Sequence, residues 1–198
     1  MARSRGRPRE FDETLALEAA GEVFWTNGYS GTSLDDLAAA MGMNRPSIYR
    51  AFGDKQSLYR RALARFCETM ELAMQNTLFS EPNIHKGLSR FLREALGVYV
   101  SGEQPRGCMV MSTAVAAAVS HAEIRGDLLG ILRSIDQKIE ERMRQAVEVG
   151  ELPREFDVRS RASIAQGLLH TLSLRARAGE SKARLANLIK RGTELILS

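Results

Sequence analysis

Residues 32–52, TSLDDLAAAMGMNRPSIYRAF, have the pattern of two short helices joined by a tight turn. Ser33 and Asp36 have the spacing of a capping box, in which each side chain bonds the backbone N–H of the other residue. Gly42 predicts the end of the first helix, because glycine adopts the left-handed conformation of a helix C-terminus without strain. Asn44 is a favourable cap for the next helix. The stretch therefore predicts a helix-turn-helix.

The second of these helices, about residues 45–52, has a face that suits DNA. Ile48 and Phe52 point together at helical spacing and predict the buried side. Arginine can bond guanine or phosphate, and Ser and Tyr hydroxyls can bond phosphate oxygens. A solvated surface helix in an ordinary helical hairpin would show the same short pattern, so both interpretations stay open at this point. The residues at the N-terminus, on the outward side and on its flanks are Arg45, Pro46, Ser47, Tyr49 and Arg50.

Positive charge gathers around this motif, although the formal net charge of the chain is only +4. Residues 1–9, MARSRGRPR, contain four arginines and no acid. They form either a disordered tail or a basic arm along phosphates or in a minor groove, and we favour the arm because a DNA-binding helix follows. Residues 43–65 contain six basic residues against Asp54 alone. This distribution predicts an electropositive surface for a nucleic acid.

The segments on either side of the motif extend the pattern. FDETLALEAAGEVFWTNGYSG precedes it and GDKQSLYRRAL follows it. Together they resemble the N-terminal domain of the TetR family of bacterial transcription regulators, over about the first third of the chain. The positions that carry the resemblance are Ala19, Ala20, Phe24, Gly28, Tyr29, Thr32, Ser33, Leu34, Leu37, Ala38, Gly42, Met43, Ile48, Tyr49, Phe52, Lys55, Leu58 and Tyr59.

The resemblance assigns DNA contacts by position. Two departures leave open which residue reads which base: the family often has a small residue where Pro46 stands, and an aromatic residue or His where Ala51 stands. The resemblance implies phosphate contacts by Thr32, Ser33, Tyr49 and Lys55, and base contacts by Arg45, Pro46, Ser47 and Arg50.

The whole chain has the pattern of successive helices, and almost no stretch alternates apolar and polar residues as a β-strand would. We predict an all-α fold: an N-terminal three-helix helix-turn-helix DNA-binding domain in residues 1–53, then a C-terminal helical bundle in residues 54–198 for ligand binding and dimerisation. Apolar faces within 157–197 either complete the core or, as the resemblance implies, pair with a second copy, which suits a palindromic operator. Helices are expected at about 12–27, 54–78, 84–100, 107–120, 123–149, 157–178 and 182–197.

The bundle is expected to hold a small-molecule effector, because pockets between bundle helices are common and the resemblance implies induction through a tilt of the helix that begins at Asp54. Segment 107–120 is apolar on all sides and predicts a helix in the middle of the bundle. Cys108 at its start is either a sensor thiol near Arg106 or a small buried hydrophobe. Candidate pocket residues, each with core packing as the alternative, are Thr113, Gln137, Gln166, His121, His170, Met70, Met74, Met109, Met111 and Met143.

Several classes of protein are disfavoured by what the sequence lacks. There is no apolar run of membrane length and no apolar signal core, so we expect a cytoplasmic protein. Two cysteines and three scattered histidines predict neither a disulfide framework nor a metal site, and no cofactor is expected. No constellation of catalytic residues is visible, which argues against a DNA-processing enzyme. We expect a repressor released from a palindromic operator by a small molecule; the rival is a ligand-binding or interaction protein whose helix-turn-helix does not engage DNA.

Overall fold

The computed structural model describes residues 12–102 and 104–198, and within those ranges the chain forms helices and their connections, without a strand. Two π-helical stretches occur: Gln75–Phe79 continues the fourth helix, and Val110–Ala114 leads into the sixth. The predicted all-α fold is confirmed. The helices are α1 (Glu13–Gly31), α2 (Leu34–Met41), α3 (Arg45–Phe52), α4 (Lys55–Met74), α5 (Ile84–Tyr99), α6 (Val115–Ala117), α7 (Ala122–Glu148), α8 (Val158–Arg177) and α9 (Lys182–Ile196).

The helix-turn-helix forms from the local contacts that its sequence predicts. The Ser33 hydroxyl accepts from the Asp36 N–H, and the Asp36 carboxylate accepts from the Ser33 N–H at 2.8 Å. Gly42 ends α2 with φ of 61°. The Asn44 side chain caps α3 by accepting from the Ser47 N–H at 2.9 Å. Each of these bonds spans three residues or fewer, so the chain can make them before any long-range packing.

Helix α1 packs against α2 and along α4. Phe24 is fully buried and meets the ring of Tyr59 edge-on, with the centroids 5.1 Å apart. Gly28 interrupts α1 with φ of 74° and ψ of 168°, near the end that was expected at about residue 27. Leu37 of α2 and Ile48 of α3 are also fully buried. The three-helix unit therefore shares one core with the start of α4.

Trp25 joins α1 to the connection that follows α5. Its side chain is 7% exposed and lies edge-on to Phe66, with centroids 5.1 Å apart. The guanidinium of Arg106 stacks over the indole at 4.2 Å from the ring centre and pairs with Glu22. The tryptophan therefore packs at the junction of α1, α4 and the connection after α5.

In the C-terminal half, α8 packs between α7 and α9, and α5 packs against both α8 and α9. The core of this bundle is continuous with that of the N-terminal helices. Within the described ranges, each helix is either too short or too polar to cross a membrane.

The segment predicted as one helix over 107–120 is helical only from Val110 to Ala117. Before it, the Gly107 N–H bonds the Tyr99 carbonyl at 3.1 Å, and the Cys108 N–H donates to the Ser173 hydroxyl at 2.7 Å. Gly107 has a positive φ of 69°, which a right-handed helix does not contain, so the helix begins only after this residue. The prediction that this segment lies in the middle of the bundle is also wrong for its C-terminal end, where the Val119 side chain is 80% exposed.

Helix α7 forms hydrogen bonds near both ends of α4. Near the N-terminal end, Arg60 of α4 bonds Glu123 at 2.7 Å and Asp127 at 3.0 Å, at the protein surface. At the C-terminal end, Arg142 of α7 is only 4% exposed. Its guanidinium donates to the backbone carbonyls that follow α4, those of Leu78, Glu81 and Pro82, at 3.1, 3.0 and 2.7 Å.

Candidate nucleic-acid interface

Helix α3 exposes the face that its sequence predicts. Ile48 and Phe52 anchor the helix in the core, at 0% and 4% exposure. On the outer side, Tyr49 is 50% exposed and Arg50 is exposed. Arg50 makes no hydrogen bond or ion pair with any residue of the described ranges. A rigid helix thus presents an unpaired guanidinium and a phenol hydroxyl to a partner, which are groups that bind phosphates and base edges.

Arg45, at the start of α3, already has an acidic partner. Its Nε lies 2.8 Å from Asp35 Oδ1 on α2, and the two side chains are 54% and 72% exposed. The hydrogen bond from Arg45 lowers the pKa of Asp35 and raises that of Arg45. The pair fastens the head of α3 to α2, so a base or phosphate would have to replace the carboxylate. Contact between Arg45 and a base edge remains a prediction.

The two hydroxyls that open the motif are engaged within the protein. Thr32 is 2% exposed and donates to the Gly28 carbonyl at 2.7 Å. The Thr32 hydroxyl closes the kink of α1 and would have to leave the Gly28 carbonyl to bond a phosphate, so this phosphate contact stays a prediction. Ser33 is exposed, but its hydroxyl donates to Asp36 at 2.7 Å within the capping box. A phosphate would have to compete with that carboxylate.

The remaining predicted contacts lie at the start of α3 and of α4. Pro46 is exposed and Ser47 is half-buried. Lys55 is half-buried, with Nζ 4.8 Å from the centre of the Tyr29 ring, and burial lowers its pKa. The amide end of α4 is occupied by its own cap, because the Ser57 N–H donates to Asp54 at 2.7 Å. Lys55 therefore places a cation beside α3 that could bind a phosphate. The N-terminal amides of α4 are less available, because the Asp54 cap already accepts one of their hydrogen bonds.

Fewer basic side chains are free to bind a nucleic acid than the sequence of residues 43–65 predicts. Of their six basic residues, four form ion pairs, three of them with acids distant in sequence, which leaves only Arg50 and Lys55 outside ion pairs among the described residues. Local composition could not show this, because the partners distant in sequence lie on α1 and α7. The pairs are Arg45–Asp35, Arg60–Glu123, Arg60–Asp127, Arg61–Glu13, Arg65–Glu18 and Arg65–Glu68.

A second candidate site is an apolar cavity of about 110 Å³ between α4 and α7, lined also by residues of α5, α8 and the π-helical stretch before α6. Cys67 and Cys108 line it. Burial raises the pKa of Cys67 to about 12 and also raises that of Cys108. A thiol kept protonated is a poor nucleophile, which favours the buried-hydrophobe interpretation of Cys108 over the sensor. Among the predicted methionines, those in the lining are Met70, Met74 and Met111.

Of the polar residues predicted to line a pocket, His170 lines this cavity and the other four do not. The Thr113 hydroxyl bonds the Tyr59 hydroxyl at 2.7 Å, and the Gln166 amide donates to the Leu132 carbonyl at 2.7 Å. Gln137 is exposed and is not part of the lining. His121 bonds Gln56 at 3.1 Å, whereas His170 does line the cavity. Most of the lining could not be found from the sequence, because separate helices contribute it; the Met70–Met74 spacing along one face of α4 was the available signal.

Comparison with known proteins identifies both halves of the chain. Residues 16–62 match the family described as bacterial regulatory proteins, tetR family, and residues 86–191 match a tetracyclin repressor-like C-terminal domain. The HTH-type transcriptional repressor ComR of Escherichia coli K12 is 29% identical over 198 residues, which cover 100% of this chain and 93% of ComR. The E. coli K12 repressor BdcR is 32% identical over 111 residues, 56% of each chain.

A solved structure is similar over nearly the full length. It is a cysteine mutant of CifR, a TetR family transcriptional regulator, complexed with 26-bp double-strand operator DNA. CifR is 33% identical, with a TM-score of 0.88 over 95% of this chain and 98% of the CifR chain. These matches agree with the exposed face of α3 and the helical C-terminal half. The chain belongs to the TetR family of bacterial regulatory proteins and is a DNA-binding transcriptional regulator rather than an enzyme.

Proposed function

We propose that this regulator is a cytoplasmic repressor, which binds a palindromic operator as a homodimer and leaves it when a small molecule occupies the cavity. The observation that carries the DNA step is the free outer face of α3, where Tyr49 and Arg50 project from a helix anchored by Ile48 and Phe52. Support for repression comes from the relatives ComR and BdcR, which are named as repressors, and from CifR, which is solved with operator DNA.

Each half of the chain has a task in this proposal. Residues 1–53 contact the operator, and residues 54–198 dimerise and bind the effector. The basic arm of residues 1–9 lies outside the described residues and keeps its proposed role on phosphates or in a minor groove. Within α3, Arg50 would read a base edge and Tyr49 would hold a phosphate. The flanking contacts proposed are those of Ser33, Arg45, Pro46, Ser47 and Lys55.

Dimerisation is supported by an apolar face that the chain leaves exposed on α8 and α9. Ile164 and Leu174 lie on the same side of α8 and are 54% and 71% exposed, and Leu195 of α9 is 70% exposed. Gly167 lies between the two α8 residues on that side, and a Cβ there would touch nothing. A second copy placed on this face would bury the three side chains, and glycine would allow its backbone to approach closely.

Helix α4 would carry the signal from effector to DNA. One of its faces forms a wall of the cavity, through Phe66, Cys67, Met70 and Met74. Its N-terminal residues pack in the core of the three-helix unit. An effector that prefers the orientation of α4 unsuited to the operator would weaken DNA binding by its difference in affinity for the two states.

The first experiment tests DNA binding. Bound sequences are selected from a random duplex pool at two salt concentrations, and affinity is then measured for the wild type and for Arg50→Ala. We expect an enriched palindrome and a loss of about 1–3 kcal/mol, with relaxed preference at one operator position. Arg154→Ala, an exposed arginine between α7 and α8, removes the same charge and should bind normally.

Uniform weakening on all sequences would reassign Arg50 to a phosphate. In that case the salt dependence of log K should fall by about 0.9 per lost contact. Failure to enrich any sequence would contradict the proposed repressor.

The second experiment tests the dimer. Leu174→Glu places a charge on the exposed apolar face of α8, and we expect a folded monomer with weak operator binding, measured by analytical ultracentrifugation. Val119→Glu makes the same apolar-to-acid change at a residue that is 80% exposed outside this face, and it should remain dimeric. A dimer that survives Leu174→Glu unchanged would contradict the proposed interface.

A further inference from the structure

The cavity between α4 and α7 has a lining that selects its occupant by chemistry. Aromatic, aliphatic and sulfur-containing side chains form most of the wall, among them Phe66, Phe91, Met70 and Met111. The free volume of about 110 Å³ is smaller than the cavity of about 150 Å³ that admits benzene in another protein. Methionine side chains are flexible and can yield to a ligand. The space therefore suits a molecule on the scale of one ring.

The charged groups at this cavity neutralise each other. Among the described residues, its only charged lining side chains are Glu71 of α4 and Lys138 of α7, and they form an ion pair with one another. An anion or cation in the cavity would have to break that pair or stay without a counter-charge. Burying an unpaired charge is costly, so the lining disfavours charged ligands of either sign.

The polar groups in the lining include a histidine whose ring bonds no described residue. His170 of α8 is half-buried, and its ring makes no hydrogen bond with the described residues. Burial lowers the pKa of His170, against a smaller opposing effect of Asp136, so the imidazole is neutral near pH 7. A neutral imidazole has one donor and one acceptor nitrogen. By contrast, His121 is already bonded to Gln56.

We propose that the cavity binds a small uncharged molecule of about one ring, whose hydroxyl or carbonyl group bonds His170. This inference rests on the proposed function, in which the occupant of the cavity is the effector. The aromatic and thioether groups supply contact area, and His170 supplies orientation and selectivity.

Four probes of nearly equal size separate charge from hydrogen bonding: benzyl alcohol, toluene, benzoate and benzylammonium. Their binding to the full-length protein is measured by isothermal titration calorimetry at pH 7. We expect benzyl alcohol to bind about three- to tenfold tighter than toluene, the effect of one hydrogen bond. The two ions should bind at least about a hundredfold more weakly than benzyl alcohol. An ion that binds as tightly as benzyl alcohol, or no binding by either neutral probe, would overturn the proposal.

Substitution of His170 then tests whether this residue makes the hydrogen bond to benzyl alcohol. In His170→Leu, the affinity for benzyl alcohol should fall to that for toluene, whereas the affinity for toluene should change less than about twofold, because only one bond is lost. His85→Leu makes the same change at an exposed histidine of α5 outside this cavity and should leave both affinities unaltered. Circular dichroism melting curves verify that each variant is folded. An unchanged preference for benzyl alcohol in His170→Leu would overturn the role of His170.

Operator binding is measured in the same preparations, with and without benzyl alcohol. Calorimetry decides the class of ligand whether or not the DNA assay succeeds. A protein that binds benzyl alcohol but no operator would contradict the proposed repressor and support the ligand class. A protein that binds its operator and none of the probes would support the proposed repressor and contradict the ligand class.

Discussion

The two ends of α4 are held to α7 by opposite means. At the end near the DNA-binding helices, Arg60 meets Glu123 and Asp127 at the surface, with its own side chain 38% exposed. At the far end, Arg142 is buried and donates to three backbone carbonyls. The Leu78 carbonyl lies in the last turn of the π-helical continuation of α4, at the negative end of the helix dipole, which favours a cation.

This difference indicates which end of α4 can move at small cost. Exposed ion pairs contribute about 0–1 kcal/mol each, because water solvates the separated charges almost as well. Buried hydrogen bonds to a charged group contribute more, because carbonyls left unpaired inside the protein stay desolvated. In the proposed function, α4 would therefore move at its N-terminal end and stay fixed at its C-terminal end.

The largest expected effect comes from removing the buried attachment. Arg142→Ala leaves the carbonyls after α4 without their donor, and we expect a loss of about 3 kcal/mol in the free energy of unfolding. For a chain of this size, that loss lowers the melting temperature by about 6–12 °C. Urea denaturation followed by circular dichroism measures it.

The matched control for Arg142 is Arg144→Ala, two residues further along α7. Arg144 is exposed and pairs only with Glu140, so its removal should change stability by less than about 0.5 kcal/mol. Equal losses for the two variants would contradict the buried anchor.

A smaller effect is expected at the surface attachment. Arg60→Ala should cost less than about 1 kcal/mol of stability, and the cost should shrink further in 1 M salt, because the pairs with Glu123 and Asp127 are screened. The same urea titration at low and high salt measures both quantities. A loss as large as that of Arg142→Ala would show that the N-terminal end of α4 is equally fixed.

The smallest effect concerns the cap of α4. The Ser57 backbone N–H bonds the Asp54 carboxylate and lowers its pKa. Asp54 therefore contributes stability above its ordinary pKa of about 3.9, and that contribution is lost as pH falls through the lower folded value. Asp54→Asn keeps a capping oxygen but cannot titrate, so its stability should fall less steeply below about pH 4. Identical curves of unfolding free energy against pH for the two proteins would contradict this assignment.

The local features of the fold could be predicted from the sequence, because their contacts span a few residues. The capping box of Ser33 and Asp36, the turn at Gly42 and the buried side of α3 are of this kind. The partners of Arg60, Arg61 and Arg65 could not be predicted, because Glu13, Glu18, Glu123 and Asp127 reach them only after the helices have packed.

The cavity and the irregular start of α6 depend on the same long-range packing. Separate helices meet around the cavity, and the amides of Gly107 and Cys108 bond Tyr99 of α5 and Ser173 of α8. Thr32 occupies a position at which the resemblance implies a phosphate contact. The sequence could not show that its hydroxyl bonds the Gly28 carbonyl.

The stacking of Trp25 under Arg106 gives the protein a built-in optical reporter. The chain contains a single tryptophan, so its intrinsic indole emission comes from one place. That place is the junction between α1 and the connection after α5. A displacement of the DNA-binding helices against the regulatory half would change the polarity around the indole and its distance from the guanidinium. Emission wavelength and intensity can therefore follow the motion of the unlabelled wild-type protein in real time.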